Sequence, residues 1–274
     1  MSWCGRLGLF AVALSLLSTT ASAQPEATVP SVAALALRIR DQLGQCHSQT
    51  KEVSFISTVY ERELNDDGTA KSEKISRSHN YVRDKDARVI LESIIDDAKP
   101  VSEKKLRDEQ AKIDKQRRER LERIAKGEKK TDKDDERSLS IMEPFRAEHA
   151  ADYRFTAVAP DTVDGLACWR ISVEPTREDE DLVKGSAWVT RDSLLPVVEE
   201  YQPAKMPTAV NEFSFRMEYA PYNALCAFPR HFTLQGKGRA LLVIKFHFGV
   251  EMFLDSLQVN PGLPDSLFAS PANE

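Results

Sequence analysis

Apolar and polar residues alternate one by one along several separate segments of this chain. Between Phe213 and Tyr219 the odd-numbered residues are apolar or aromatic and the even-numbered ones are polar or charged, and Ala167–Val173 shows the same pattern. Successive side chains of a β-strand point to opposite faces of a sheet, so each segment predicts a strand with one apolar and one polar face. Sheets with one solvated face are typically antiparallel.

The stretch Gly185–Tyr201 predicts a complete hairpin. Trp188 alternates with polar neighbours, Arg191–Ser193 has the composition of a turn, and extended structure resumes at Val197. Pro196 stands at the beginning of the second strand, where a missing backbone N–H costs least. Similar patterns predict strands over 53–59, 75–82, 88–95, 153–157 and 242–248, and a last strand through Phe253 and Leu257.

Glycine-containing sequences separate or interrupt these strands. Asn65–Gly68 predicts a tight hairpin turn, and Asp164–Gly165 predicts a second one. Gly236–Gly238 and Gly249 are also interpreted as turns or bends, because glycine weakens a strand interior.

Two segments have helical rather than strand periodicity. Ser31 is a candidate N-cap for a helix that ends at about Cys46, with apolar residues at helical spacing from Val32 to Leu43. Ser102 is a candidate cap for a second helix, which lies in an insertion at about residues 100–139 that is dense in charges of both signs. We favour a solvated helix with i,i+4 ion pairs; the alternative is a lid or arm that closes over the sheet.

Together these patterns predict an α+β protein with a single domain over residues 31–274. Its core is a curled antiparallel sheet, an incomplete β-barrel, with helices covering the concave face. Residues 1–23 have the properties of a signal peptide: Arg6 precedes an apolar run, and Ala21–Ala23 matches an A-x-A cleavage site. Residues 24–30 are expected to be a disordered leader. The alternative is an uncleaved membrane anchor, although the apolar run is short for a membrane span.

Cysteine content suggests one disulfide in the mature chain. Removal of Cys4 with the signal peptide leaves Cys46, Cys168 and Cys226, and an exported protein meets an oxidising compartment. Spacing alone does not choose the pair, but Cys168–Cys226 is favoured because both residues lie in strand-like segments. The sequence has no CxxC motif, which disfavours a thiol redox enzyme.

Other motifs argue against catalysis and against nucleic acid as a partner. The net charge of −5 is mild and negative, so a polyanion is not expected to bind. The chain contains no HExxH, GxSxG, phosphate-loop or GxGxxG sequence, and we therefore expect no enzyme activity, no metal and no cofactor. Glu199 and Glu200 are adjacent on a strand, so their carboxyl groups point to opposite faces and do not form a catalytic pair.

Several of these patterns resemble the outer-membrane lipoprotein-sorting proteins, the LolA/LolB-like superfamily. The likeness covers most of the mature chain and includes the first helix, the strand Phe55–Arg62, the Asp164–Gly165 hairpin, the block Trp188–Tyr201 and the strands from Phe213 to Phe248. The charged insertion at about residues 100–139 makes the chain look like a variant of that superfamily. The resemblance implies a non-enzymatic periplasmic carrier or chaperone that buries the acyl chains of a lipidated protein, or of another acyl-containing ligand, between sheet and helices.

Aromatic residues are the candidates for lining such a cavity, although a filled protein core would use the same residue types. The alternative function is an envelope protein-interaction or lipid-sensing module of the RseB type, in which the charged arm contacts an envelope protein partner. The candidate ligand-binding residues are Phe55, Trp169, Trp188, Phe213, Phe215, Phe246 and Phe248.

Overall fold

The computed structural model describes residues 29–127, 142–240 and 244–269. The predicted signal peptide, most of the predicted leader and the part of the charged insertion beyond Gly127 lie outside these residues. The helices are α1 (Val32–Gln49) and α2 (Glu103–Ala125), with short 3-10 helices at Glu143–Phe145, Ala147–His149 and Asp265–Leu267. The strands are β1 (Glu52–Leu64), β2 (Ala70–Arg83), β3 (Asp86–Asp96), β4 (Lys99–Pro100), β5 (Tyr153–Val163), β6 (Leu166–Pro175), β7 (Val183–Thr190), β8 (Pro196–Pro203), β9 (Val210–Pro221), β10 (Ala227–Ala240) and β11 (Ile244–Val259).

The described strands form one antiparallel sheet in the order β4-β3-β2-β1-β11-β10-β9-β8-β7-β6-β5. Nearly all neighbours are consecutive hairpin partners, and the exception is the pairing of β1 with β11, which joins the first long strand to the last. The sheet is not closed, because β4 ends it on one side and β5 on the other. This architecture confirms the predicted α+β fold, a curled and incomplete barrel.

The predicted turns are confirmed at two of the glycine sites and wrong at the others. Asn65–Gly68 connects β1 to β2, and Asp164–Gly165 connects β5 to β6, both with left-handed backbone at the glycine. Gly236–Gly238 instead lies inside β10 and Gly249 inside β11. Gly236 and Gly238 make room for neighbouring aromatic rings rather than reversing the chain, whereas Gly249 has no ring against it.

Helix α1 begins where the sequence predicts. The Ser31 hydroxyl accepts a hydrogen bond from the Ala34 backbone N–H, which caps the helix. Leu35, Ala36 and Ile39 form its buried face and pack against the sheet. The helix therefore covers one part of the concave face, as expected for an amphipathic helix with one apolar stripe.

Helix α2 lies beside the edge of the sheet. The Gln110 side chain donates to the Val89 carbonyl (2.9 Å) and accepts from the Leu91 N–H (2.8 Å), two backbone groups at the free edge of β3. Arg117 makes a bidentate pair with Asp86 at the beginning of the same strand. The helix thus satisfies an edge that would otherwise offer unpaired backbone groups to another chain. None of the helices in the described residues is long and apolar enough to cross a membrane.

Candidate ligand-binding face

The sheet has an inner face, which we define as the face that α1 covers, and an outer face. Trp169, Ile171 and Val173 of β6 point to the inner face together with Ala187 and Val189 of β7. All five are buried beneath α1, with exposed fractions of 6% or less. This part of the inner face is therefore a filled core.

The segment Met142–His149, which we call the plug segment, completes that core. Phe145 is fully buried and stacks on Phe155 of β5 with ring centroids 4.5 Å apart. The Arg40 side chain of α1 donates to the Phe145 carbonyl at 3.2 Å. Helix α1 and the plug segment therefore seal the inner face over β5–β8.

The inner face is less buried along β9, β10 and β11. Five phenylalanines on these strands keep part of their surface exposed, although Phe215 and Phe232 also pack against buried clusters. Their rings are neighbours: Phe215 lies 6.2 Å from Phe232, and Phe246 lies 6.2 Å from Phe248, centroid to centroid. We call this group the aromatic patch, and its members are Phe213, Phe215, Phe232, Phe246 and Phe248.

Two glycines form the floor of the aromatic patch. Gly236 lies directly across from Phe213 on β9 and from Phe248 on β11, and a Cβ at Gly236 would lie 2.7 Å from the Phe248 ring. Gly238 pairs with Phe246, and a Cβ there would lie 2.6 Å from that ring and 2.0 Å from a backbone oxygen. The rings thus lie directly on the backbone of β10, which is the arrangement known as aromatic rescue of a glycine.

A charged concavity borders the aromatic patch. It has a volume of about 370 Å³ and contains Phe248 and Val250 beside polar side chains of β1–β3. The charged groups are of both signs, and Lys74 pairs with Glu61 at 2.8 Å. Apolar rings next to a polar depression form a surface of the kind that an amphiphile fits, with its chain on the rings and its head group in the depression. Further charged residues lining it are Arg62, Glu63, Glu73 and Asp96.

Phe55 also lies on the inner face, in a more polar region. It is half-buried and lies opposite Asn80 of β2. The Asn80 side chain donates to the Ser57 hydroxyl at 2.9 Å, and Ser57 and Ser78 share a hydrogen bond of 3.0 Å. The structure therefore places Phe55 apart from the aromatic patch, beside a satisfied polar cluster.

The two tryptophans do not share a surface, so their prediction as joint lining residues is wrong. Trp169 is in the filled core beneath α1, whereas Trp188 lies on the outer face with Cys168 and Val198. The Trp188 indole donates to the Asp161 carboxylate at 2.8 Å. The cause is the two-residue repeat of β7, which points Trp188 away from the face of its neighbours Ala187 and Val189.

The predicted disulfide is also wrong, because Cys226 bonds to Cys46 and Cys168 is a buried free thiol. Strands β6 and β10 are four positions apart in the sheet, a separation of roughly 19 Å, which is too far for a disulfide. The end of α1 instead reaches the turn before β10, where Gln42 donates to the Leu225 carbonyl.

A buried carboxyl group lies on the inner face next to the core. Glu199 of β8 is 2% exposed, and its Oε2 accepts a hydrogen bond from the Tyr219 hydroxyl of β9. The Met142 N–H donates to the same hydroxyl at 3.4 Å. In the described residues, Glu199 Oε1 and the Tyr201 hydroxyl make no hydrogen bond of good geometry, but the two groups lie close enough for Tyr201 to lower the pKa of Glu199.

Burial controls the ionisation of this group. Desolvation raises the pKa of Glu199 to about 7, although the Tyr219 hydroxyl acts in the opposite direction by stabilising the charged form. Burial also raises the pKa of Tyr201 and of Tyr219 well above the usual range. No role is predicted for Glu199 from the sequence, but the alternation of β8 places it on the same face as Tyr201, which is an unusual position for an acid. Glu200 points to the opposite face as predicted and pairs with Arg216.

The described residues contain no group of three or more His, Cys, Asp or Glu side chains that could hold a metal ion. The chemical groups of the site are its apolar rings, its charged border and one buried acid. Such groups can bind and release a ligand.

Comparison with solved structures found several similar chains. The chain is similar to a LolA superfamily protein from Nitrosomonas europaea, with 10% identity and a TM-score of 0.41 over 85% of this chain and 97% of the other. It is also similar to a DUF1329 family protein from Desulfovibrio piger, with 12% identity and a TM-score of 0.38 over 87% and 97%. MucB in complex with MucA(peri) matches with 9% identity and a TM-score of 0.23 over 82% and 98%.

These similar structures include the class that the sequence resembles. At TM-scores below 0.5 and identities of 12% or less, the likeness carries no argument about function, which has to come from the residues of the chain itself. No protein-family model matches the chain, and no curated protein matches it significantly.

Proposed function

We propose that the protein is a periplasmic carrier that binds the acyl chains of an amphiphilic ligand, such as a lipidated protein, on its aromatic patch. The observation that supports this function is the contrast within one face: the core beneath α1 is filled, whereas the aromatic patch is half-exposed. Five partly exposed rings on one face form a larger apolar surface than the packing of these strands requires.

Binding would depend on apolar area and on the charged concavity next to it. An acyl chain that covers the rings gains about 25 cal/mol for each Å² of apolar surface removed from water. The head group of the ligand would lie near Lys74 and Glu61, where both signs of charge are present. Release would follow when a partner offers the acyl chain a more apolar site, so the carrier needs no chemical step.

The proposed location rests on two features. The first is the signal-peptide pattern of residues 1–23. The second is the Cys46–Cys226 disulfide, because structural disulfides form and persist in oxidising compartments.

The proposal is tested by native mass spectrometry with lipid extraction on mature protein purified gently from a bacterial envelope. We expect a bound acyl-containing ligand that is lost in Phe246→Asp and in Phe215→Asp. The matched control is Phe253→Asp, because Phe253 is on the same strand as Phe246 but stacks on His231 at the outer face. Loss of ligand in all three variants, or in none, would contradict binding at the aromatic patch.

A second candidate function is an envelope interaction module, and the charged surface of α2 favours it. Gln110 and Arg117 dock the helix on β3, while most of its other charged residues remain exposed. A mass that remains ligand-free after incubation with lipoproteins and phospholipids would favour this function. Charge reversal at Lys104 and Arg107, which are both exposed, should then abolish binding of an envelope protein.

A further inference from the structure

Glu199 lies between the plug segment and the aromatic patch, and it is linked to both through tyrosines. Its carboxyl group accepts from Tyr219, and the Tyr219 hydroxyl accepts from the Met142 N–H at the beginning of the plug segment. On the other side, the Tyr201 ring packs edge-on against Phe215 of the aromatic patch at 5.5 Å. A change at Glu199 therefore reaches both the plug segment and the aromatic patch.

The plug segment begins in a conformation that needs support. Met142 has a φ of +50°, in the left-handed region that non-glycine residues rarely adopt, and such a residue stays there only if its surroundings hold it. Its support comes from the hydrogen bond to Tyr219 and from the complete burial of Phe145. Weakening the Glu199–Tyr219 pair therefore removes the attachment of the plug segment at its first residue.

The carboxyl group is satisfied unequally in its two charge states. A protonated Glu199 is neutral, so the closed plug segment can bury it without leaving a charge unhydrated. An ionised Glu199 is stabilised by hydrogen bonds from Tyr219, Tyr201 and the Met142 backbone, but burial outweighs them, and the carboxylate regains its hydration only when the plug segment opens. The structure around Glu199 therefore fits the protonated form better.

We propose that Glu199 is a proton-controlled latch for the plug segment. When it is protonated, Tyr219 holds Met142 and Phe145 covers the inner face. When it is ionised, the plug segment loosens and exposes apolar surface that continues through Tyr201 into the aromatic patch. The latch would regulate the ligand site of the proposed function, but the loosening itself does not depend on a ligand.

Hydrogen–deuterium exchange tests the latch on the mature protein without any ligand. We expect the opening equilibrium of residues 143–150, corrected for the intrinsic pH dependence of exchange, to rise roughly fifty-fold between about pH 5 and pH 7.5. Glu199→Gln, which keeps the shape and cannot ionise, should remove this dependence. Tyr219→Phe should loosen the same residues across the whole range, because Met142 loses its acceptor.

His149 is the main competing titratable group, because it lies on the plug segment within 3.5 Å of Glu143 and 3.4 Å of Asp152. His149→Gln should leave the pH dependence intact. A pH dependence that persists in Glu199→Gln, disappears in His149→Gln or is smaller than about three-fold in the wild type would overturn the latch. Loss of ligand binding without loss of the pH-dependent exchange would instead contradict only the proposed function.

Discussion

Two parts of the inner face have the same alternation of apolar and polar residues but differ in how deeply their side chains are buried. Over β5–β8, α1 and the plug segment bury residues such as Ile171 and Val189 completely. On β9 and β11, the same alternation leaves Phe213, Phe246 and Phe248 only half-buried. The strand therefore determines which side chains share a face, whereas the layer packed on it determines whether that face becomes a core or a binding surface.

The Cys46–Cys226 disulfide holds α1 on the sheet, and its loss should have the largest effect. It joins residues 180 apart in sequence and attaches the end of α1 to the beginning of β10. We expect Cys46→Ser combined with Cys226→Ser to lower the free energy of unfolding by up to about 5 kcal/mol in urea denaturation. In Cys168→Ala, which removes a buried thiol but no bond, the loss should be about 1 kcal/mol.

Alkylation of the denatured, unreduced mature protein checks the pairing directly. Only Cys168 should be modified. Modification of Cys46 would show that α1 is not tethered to the turn before β10.

The phenylalanines of the two parts should differ in their contribution to stability. Phe145→Ala removes a fully buried ring and should lower the free energy of unfolding by about 4 kcal/mol, as a cavity in a packed core does. Phe246→Ala removes a half-exposed ring and should cost about 1 kcal/mol. Equal losses in denaturant titrations would mean that the aromatic patch is ordinary core, and would contradict the distinction between the two parts of the inner face.

The sequence predicts which side chains share a face of the sheet, but it does not predict which of them are buried. Alternation alone places Phe213 and Phe215 on one face and Glu199 on the face of Tyr201, because the repeat of a strand is local. The exposure of those rings depends on where α1 ends and where the plug segment lies, which are long-range properties. For this reason Trp169 and Trp188, both attractive as lining residues, separate into a core residue and an outer-face residue.

The disulfide pairing and the role of Gly236 were predicted wrongly for a related reason. The choice between Cys46 and Cys168 as the partner of Cys226 depends on strand order, which no local pattern contains. Gly236 looks like a turn residue in sequence, and its role becomes evident only when the register places Phe213 and Phe248 on either side of it.

Glu199 should make the covered part of the inner face sensitive to pH. Its pKa is raised by burial to about 7 from an ordinary value of 4.5, so its contribution to stability is fully present below pH 4.5 and is lost as the pH rises to about 7. Relative to Glu199→Gln, the wild type should lose up to about 3 kcal/mol over that window. The measurement is the difference between the two unfolding free energies at each pH, since groups common to both proteins cancel. A constant difference would contradict the burial of an ionisable acid at this position.

The smallest expected loss of stability comes from adding a methyl group at the glycine floor of the aromatic patch. At Gly236 a Cβ would lie 2.7 Å from the Phe248 ring, so Gly236→Ala should displace that ring and lower the free energy of unfolding by about 1 to 2 kcal/mol. Gly249→Ala is the matched control on the next strand, because its Cβ would meet Leu64 at an ordinary 3.5 Å, and its effect should stay within about 0.5 kcal/mol.

The same pair of variants connects stability to binding. If the rings must lie on the backbone of β10 to form an acyl-binding surface, Gly236→Ala should weaken ligand retention in native mass spectrometry more than Gly249→Ala, which borders the charged concavity but displaces no ring. Retention that is unchanged in Gly236→Ala would mean that the ligand does not need the Phe248 ring in its present position. In that case the open part of the inner face would have to bind through Phe215 and Phe232, which lie farther from the glycine floor.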